Sequence, residues 1–145
     1  MNLGSDGEVW QVPKRTYLDS GVLIAAFKGK GEIGKRALEI LDDAERTLVV
    51  SDAVRLEIFP KAEFHKKQPE IAFYQEIFDN SELVPWIDST LNVAYRIASQ
   101  HGIAAMDAIH IAHAIKAQVD EFYTSEKSDK PIFRINDFRV LSLHE

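Results

Sequence analysis

Four carboxylates stand out because of the residues around them. Asp19 lies between the run Thr16-Tyr17-Leu18 and the run Gly21-Val22-Leu23-Ile24, and Asp107 sits within Ala-Met-Asp-Ala-Ile-His-Ile-Ala. A carboxylate inside an apolar run needs hydrogen bonds or a cation to offset its desolvation. Glu57 follows Ser51 by six residues, and Glu126 follows Thr124 by two. If such groups converge they repel, and one or more of them holds its proton more tightly. A divalent cation removes that penalty. Mg²⁺ and Mn²⁺ prefer hard oxygen donors and keep several waters, so a set of Asp and Glu suits them. One or two such ions, ~3.5–4 Å apart when paired, activate water and stabilise the leaving oxygen in phosphodiester hydrolysis. Nearby helix N-termini would help to draw in the phosphate.

Each residue also has a plainer reading. Asp19 can cap a helix, Asp107 can complement a helix dipole, and Glu57 and Glu126 can be solvated surface groups. Only their combination points to chemistry.

The elements that must position them alternate. Residues 16–18 are β-prone, and Ser20 is expected to cap a helix over 21–27 that Gly29 and Gly31 end. Ile33, Ala37, Ile40, Leu41 and Ala44 share one stripe, which predicts a helix over 32–44. Thr47-Leu48-Val49-Val50 reads as a strand buried on both faces. Ser51 then caps a helix running through Glu57 toward Pro60. Pro69 suits the first turn of another helix, with Ile71, Tyr74, Ile77 and Phe78 inward. Residues 83–86 form a short strand, with Pro85 marking a sheet edge. Asp88 is expected to cap a helix to His101, with Leu91, Ala94, Tyr95 and Ala98 on one face and Gly102 as its terminator. A helix over 105–118 and strands over 121–124 and 139–143 complete the pattern.

Short strands separated by helices predict an α/β fold, a three-layer α/β/α arrangement with a central, mostly parallel sheet of about five strands. Ligands of such folds bind at the carboxyl ends of the strands, where the helix N-termini also lie. Asp19, Glu57, Asp107 and Glu126 therefore belong to one edge of one sheet. Their lateral spacing depends on strand order, which the pattern leaves open.

Composition bounds the rest. The chain has 145 residues, 46% hydrophobic and 28% charged, which fits one ordered domain and not a disordered chain. Residues 1–14 read as a flexible extension, with Trp10 and Val12 docking locally, and 15–145 as the single domain. The absence of cysteine excludes disulfides, a thiol nucleophile and thiolate metal sites. No run approaches the ~20 apolar residues of a membrane span, so a cytoplasmic protein with no membrane partner is expected. A net charge of −6 argues against a protein that coats nucleic acid electrostatically, but not against an enzyme whose acidic groups hold metal. There is no glycine-rich phosphate loop, and no nucleophile elbow around Ser20 or Ser51. An aspartyl phosphatase of the haloacid dehalogenase type would need a second Asp where Gly21 stands.

Other groups are weaker candidates. His110 and His113 are three apart on the helix of Asp107, but imidazole favours other metals than Mg²⁺. His110 is better suited to orient a ligating carboxylate. Lys28, Lys30, Lys35 and Arg36 form one basic group, and Lys61, His65, Lys66 and Lys67 a second. Both can hold an RNA backbone or simply be solvated. Phe73, Tyr74 and Phe78 read as core with some interface. Residues 130–135 are more apolar than an ordinary loop.

Tyr17-Leu18-Asp19-Ser20, Ser51-Asp52-Ala53-Val54-Arg55-Leu56-Glu57, Asp107-Ala108-Ile109-His110-Ile111-Ala112 and Thr124-Ser125-Glu126, in that order, resemble the motifs of the PIN domain family. The resemblance spans about residues 15–143. It implies a metal-dependent ribonuclease, in which water attacks phosphorus in line and leaves a 5′-phosphate. Many members are VapC-like toxins of bacterial toxin–antitoxin pairs. The resemblance makes Asp19, Glu57 and Asp107 ligands of Mg²⁺ or Mn²⁺, Glu126 the fourth acidic position, and Ser20 or Thr124 a supporting hydroxyl. It implies an RNA substrate and an antitoxin partner, and a homodimer is expected. The family usually has Asp at the fourth position. Glu126 is one methylene longer, and Asp129 is the alternative. The competing reading is a non-catalytic PIN-fold module for dimerisation or partner binding.

Overall fold

The run of buried residues that ends at Asp19 forms the middle of the molecule. The computed structural model describes residues 12–145 together with Asn2–Leu3 and Val9–Trp10. Those two short segments, β1 (Asn2–Leu3) and β2 (Val9–Trp10), pair antiparallel. Part of the extension expected over 1–14, and the side chain of Trp10, lie outside the described residues. Val12 does not dock but is 61% exposed.

The domain then follows as β3 (Lys14–Leu18), α1 (Ser20–Lys28), α2 (Gly31–Asp42), β4 (Arg46–Ser51), α3 (Asp52–Phe64) and α4 (Gln68–Asp79). It continues with β5 (Glu82–Val84), α5 (Asp88–His101), α6 (Ala105–Lys116), β6 (Glu121–Thr124) and β7 (Arg139–Ser142). The main sheet has the order β5-β4-β3-β6-β7, and every neighbouring pair is parallel. Helices flank this five-stranded sheet, so the α/β/α arrangement expected from the sequence is the one found.

Strand order supplies what the hydrophobic pattern could not. The chain winds from β3 outward to β5, then crosses back through α5 and α6 to place β6 on the other side of β3. That reversal makes a topological switch point beside β3, where α/β folds open a crevice at the carboxyl ends of their strands. Asp19 follows β3, and Ser125 and Glu126 follow β6, so the crevice lies between them.

The centre of the sheet is dry on both faces. Tyr17, Leu18, Val49, Val50 and Phe122 are all fully buried. Tyr17 pairs with Phe122 in register, and their rings stack with centroids 4.9 Å apart. At the opposite edge Glu121 is buried, and it accepts from Thr16 Oγ1 at 2.8 Å and from Arg46 Nε at 2.9 Å. A carboxylate there is tolerated because it is paired and hydrogen-bonded.

Several local expectations are corrected. The cap of α1 is Asp19, not Ser20, and Ile87 rather than Asp88 stands at the cap of α5. Helix α3 passes through Pro60 to Phe64. Proline removes the donor that would meet the Leu56 carbonyl, and exposed Leu56 leaves that carbonyl close to water. Leu91 and Tyr95 are 57% and 76% exposed, so only Ala94 of the inner stripe expected for α5 is buried and Ala98 is partly so. The apolar segment at 130–135 is a single 3₁₀ turn, Pro131–Arg134, which drives Ile132 into the core next to β7.

Ile132 is 1% exposed, so Ile132→Ala leaves a cavity under the connection between β6 and β7. The expected loss is roughly 2–5 kcal/mol, read as a lower urea midpoint at unchanged m-value.

Candidate active site

Asp19 is held by the turn it makes. Its backbone leaves β3 in an extended conformation, and its Oδ1 accepts the Val22 N–H at 3.2 Å. The first turn of α1 then runs against the loop after β6. A Cβ on Gly21 would fall 1.9 Å from Ser125 Oγ and 3.4 Å from Asp19 Oδ1. Glycine at this position is what lets the two carboxyl-terminal loops close on each other.

The other groups arrive from three elements. Glu57 is in the second turn of α3, whose cap is Ser51, with its Oγ accepting the Val54 N–H at 3.3 Å. Asp107 and His110 come from α6. Thr124 ends β6, and its Oγ1 accepts the Glu126 N–H at 3.0 Å.

A buried chain of hydrogen bonds ties these elements together. His110 Nε2 lies 2.5 Å from Glu57 Oε1, and His110 Nδ1 lies 2.8 Å from Tyr17 Oη. Tyr17 Oη is also 2.6 Å from Ser51 Oγ. An ionised carboxylate only accepts, so Nε2 donates to Glu57. The other ring nitrogen, Nδ1, meets the Tyr17 hydroxyl, which in turn meets Ser51. Burial pushes the Tyr17 phenol well above its ordinary range, so it remains a protonated donor. His113, by contrast, bonds Ile109 O through Nδ1 at 2.9 Å and packs edge-on to Trp86. It is a packed core residue.

The carboxylates sense one another. Burial raises the Asp19 carboxyl to about 6, with Thr124, His110 and the Val22 amide pulling it down and Asp107 adding to the rise. Burial likewise raises Asp107, against His110, and the charges of Glu126 and Glu57 add to it. For Glu57, burial is outweighed by the hydrogen bond and charge of His110, with the Ser20 hydroxyl helping, so its carboxyl lies below the usual value.

Asp19, Glu57, Asp107, Glu126, Ser20, Thr124 and His110 are thus neighbours at one sheet edge, as strand order requires. Asp129 is exposed and is not among the charges that perturb Asp19 or Asp107. Tyr17, Ser51 and Gly21 were not anticipated as parts of the site. A tyrosine inside a fully buried strand was the available signal, since its hydroxyl must find a partner there.

The residues fit a hard cation by chemistry. Every candidate donor is oxygen, and burial raises the Asp19 carboxyl to about 6, a cost that a bound cation would offset. Among the described residues, no three such side chains are placed to chelate an ion directly. A fit would therefore rely on one or two carboxylates plus waters, the usual way Mg²⁺ is bound.

The family model of the PIN domain matches residues 16–129. The chain belongs to the PIN domain family. The PIN fold is also shared with solved toxin–antitoxin structures. A toxin–antitoxin complex from Klebsiella pneumoniae superposes with a TM-score of 0.71 at 18% identity, covering 90% of this chain and 98% of that one. VapBC2 from Rickettsia felis, bound to a DNA fragment from its promoter, gives 0.66 at 17% identity, covering 88% and 98%. VapC20 from Mycobacterium tuberculosis, a toxin that cleaves the sarcin–ricin loop, gives 0.66 at 12% identity, covering 86% and 98%. No curated protein matches the sequence. No helix among the described residues is long and apolar enough to cross a membrane.

The raised Asp19 carboxyl has a consequence for stability. Its folded value of about 6 exceeds the ordinary aspartate value of 3.8, so between these pH values the folded PIN domain holds more protons than the unfolded chain. Stability from this group is therefore full below about 4 and falls as pH rises toward about 6. Asp19→Asn keeps the helix cap and removes the buried charge. Metal-free Asp19→Asn is expected to be more stable than wild type at pH 7 by roughly 1–3 kcal/mol, with a flatter decline from pH 4 to 7. Urea unfolding in chelator measures both. A variant less stable than wild type at pH 7 would contradict the account of this group.

Proposed function

We propose that this PIN domain is a metal-dependent endoribonuclease that hydrolyses RNA phosphodiester bonds and acts as the toxin of a toxin–antitoxin pair in the cytoplasm. The observation that carries the reading is that Asp19, Glu57, Asp107 and Glu126, from elements far apart in sequence, converge at one sheet edge, with Asp107 close enough to raise Asp19, and Glu57 and Glu126 close enough to raise Asp107. Family membership and the fold shared with VapBC complexes support it.

Asp19, Glu57 and Asp107 would hold Mg²⁺ or Mn²⁺, one or two of them directly and the rest through water, with Glu126 as the fourth acidic position. When bound, such an ion makes water nucleophilic at neutral pH and neutralises charge on the phosphoryl oxygens. The protein's own groups have separable tasks. Asp19 waits at the mouth of the crevice, already oriented by the Val22 N–H. His110 fixes the rotamer of Glu57 while Tyr17 fixes the ring of His110. Thr124 holds the Glu126 backbone, and Gly21 allows the loop of Ser125 to approach.

The toxin reading implies an antitoxin chain, and the homodimer expected from the sequence finds support on the surface. Leu56 and Leu83 are exposed and line a groove of about 690 Å³ that contains none of the four carboxylates. Ile87, Leu91 and Tyr95 are further apolar residues left open on α5 and at its start.

The test incubates purified protein with structured and single-stranded RNA, with Mn²⁺ or with chelator. Wild type is expected to cleave only with metal and to leave 5′-phosphate ends. Asp19→Asn and Asp107→Asn should lose at least the ~10–100-fold that a disrupted outer partner of a metal site costs. Cleavage equal in all samples, or absent with every metal, would overturn the enzyme reading, and the latter would favour a non-catalytic interaction module.

A further inference from the structure

The surface next to Glu57 carries cations that nothing in the fold uses. A pocket of about 250 Å³ between α1, α3 and α4 is bordered by Lys28, Lys61, His65 and Lys67, and by Glu57 and Glu70. Both carboxylates are already engaged, Glu57 by His110 and Glu70 by the Tyr74 hydroxyl at 2.8 Å. Among the described residues, none of the four basic groups makes an ion pair.

No lysine among the described residues makes an ion pair, so what sets these groups apart is their convergence on one pocket beside Glu57. The pocket also has a neighbour. Lys28 is shared with a second cavity, of about 390 Å³, that is bordered by Lys30, Gly21 and Ser125. Cationic walls therefore flank the carboxylate edge on the side of Glu57 and on the side of Ser125. The large groove that carries Leu56 and Leu83 differs, since it presents Asp52, Glu63 and Asp79 against a single Arg55.

We propose that the pocket formed by Lys28, Lys61, His65 and Lys67 is a subsite for a backbone phosphate of single-stranded RNA, one step along the strand from the bond held at the carboxylates. The inference deepens the nuclease reading and rests on it. Phosphate groups carry affinity and register without base identity, which matches a pocket made of lysines and an imidazole. An acidic segment of a protein would also be attracted, but adjacency to Glu57 places the pocket where a strand entering the crevice must pass. Lys66, which the sequence grouped with the RNA-facing lysines, does not border the pocket. It sits in a left-handed backbone conformation, with φ 53°, at the turn after α3.

The experiment measures binding of a fluorescein-labelled single-stranded oligoribonucleotide by anisotropy, in chelator and over a range of KCl. Removal of two phosphate contacts in Lys61→Ala/Lys67→Ala is expected to weaken binding about tenfold. It should also flatten the slope of log K against log salt by roughly 1.4, at about 0.7 per contact on a single strand. Lys61→Arg/Lys67→Arg should restore binding. The charge-matched control, Lys14→Ala/Lys116→Ala, removes exposed lysines from the opposite sheet edge and should bind more tightly than the pocket variant. Cleavage by Asp19→Asn is followed in parallel with Mn²⁺. If Asp19→Asn loses cleavage while the pocket variant binds like the control, the subsite is wrong and the nuclease stands. If no protein cleaves but the pocket variant alone loses RNA, the nuclease reading is wrong and the pocket stands as an RNA site. Loss of binding to a polyglutamate peptide with RNA affinity intact would overturn the subsite in favour of an acidic protein segment.

Discussion

Burying one carboxylate beside others of like charge is expensive, and this fold does so with Asp19 at the carboxyl edge of its central strand, where Asp107 is half-buried and Glu57 and Glu126 face solvent. Asp19 is nearly as buried as the leucine before it, and its neighbours Asp107, Glu57 and Glu126 arrive from three other parts of the chain. Hydrophobic burial of the sheet brings them there regardless of their repulsion. The fold tolerates the assembly by two means. One is protonation, which burial favours at Asp19 and Asp107. The other is hydrogen bonding to the charged form, which His110 supplies to Glu57. Neither leaves the group fully neutralised, and a hard cation is the remaining way to do so.

The stiffness of the site follows from the same core. Tyr17 belongs to the central strand, stacks on Phe122 and reaches across to His110. Ser51 caps α3 with one lone pair while meeting Tyr17 with the same oxygen. The side chains that set Glu57 in place are therefore core residues, immobilised by packing and not by the site itself. Gly21 plays the complementary part, by having no side chain where Ser125 must lie.

How much of this the sequence shows depends on the range of the interaction. Local signals were legible: Gly29 and Gly102 take up left-handed conformations at helix ends, Ser51 is a side-chain cap, and Pro69 opens a helix. The parallel sheet was legible because strands and helices alternate. The cap of α1 is ambiguous in the sequence, since Asp19 and Ser20 can both cap and only the backbone decides for Asp19. Leu91 and Tyr95 share an apolar stripe with Ala94 yet lie open, because periodicity marks an apolar face without saying what covers it. Closeness of the four carboxylates needed strand order, and strand order is set by contacts between residues about 100 positions apart, such as Thr16 with Glu121. No local pattern encodes that.

The central claim is that these carboxylates share a divalent cation. Titration of Mn²⁺ into metal-free protein, followed by electron paramagnetic resonance of the free ion, tests it without reference to cleavage. The account predicts saturable binding at a stoichiometry of one or two, with proton release near pH 6 as Asp19 gives up its proton, and marked weakening in Asp19→Asn and Asp107→Asn. Unsaturable uptake that is identical in wild type and both variants would contradict it.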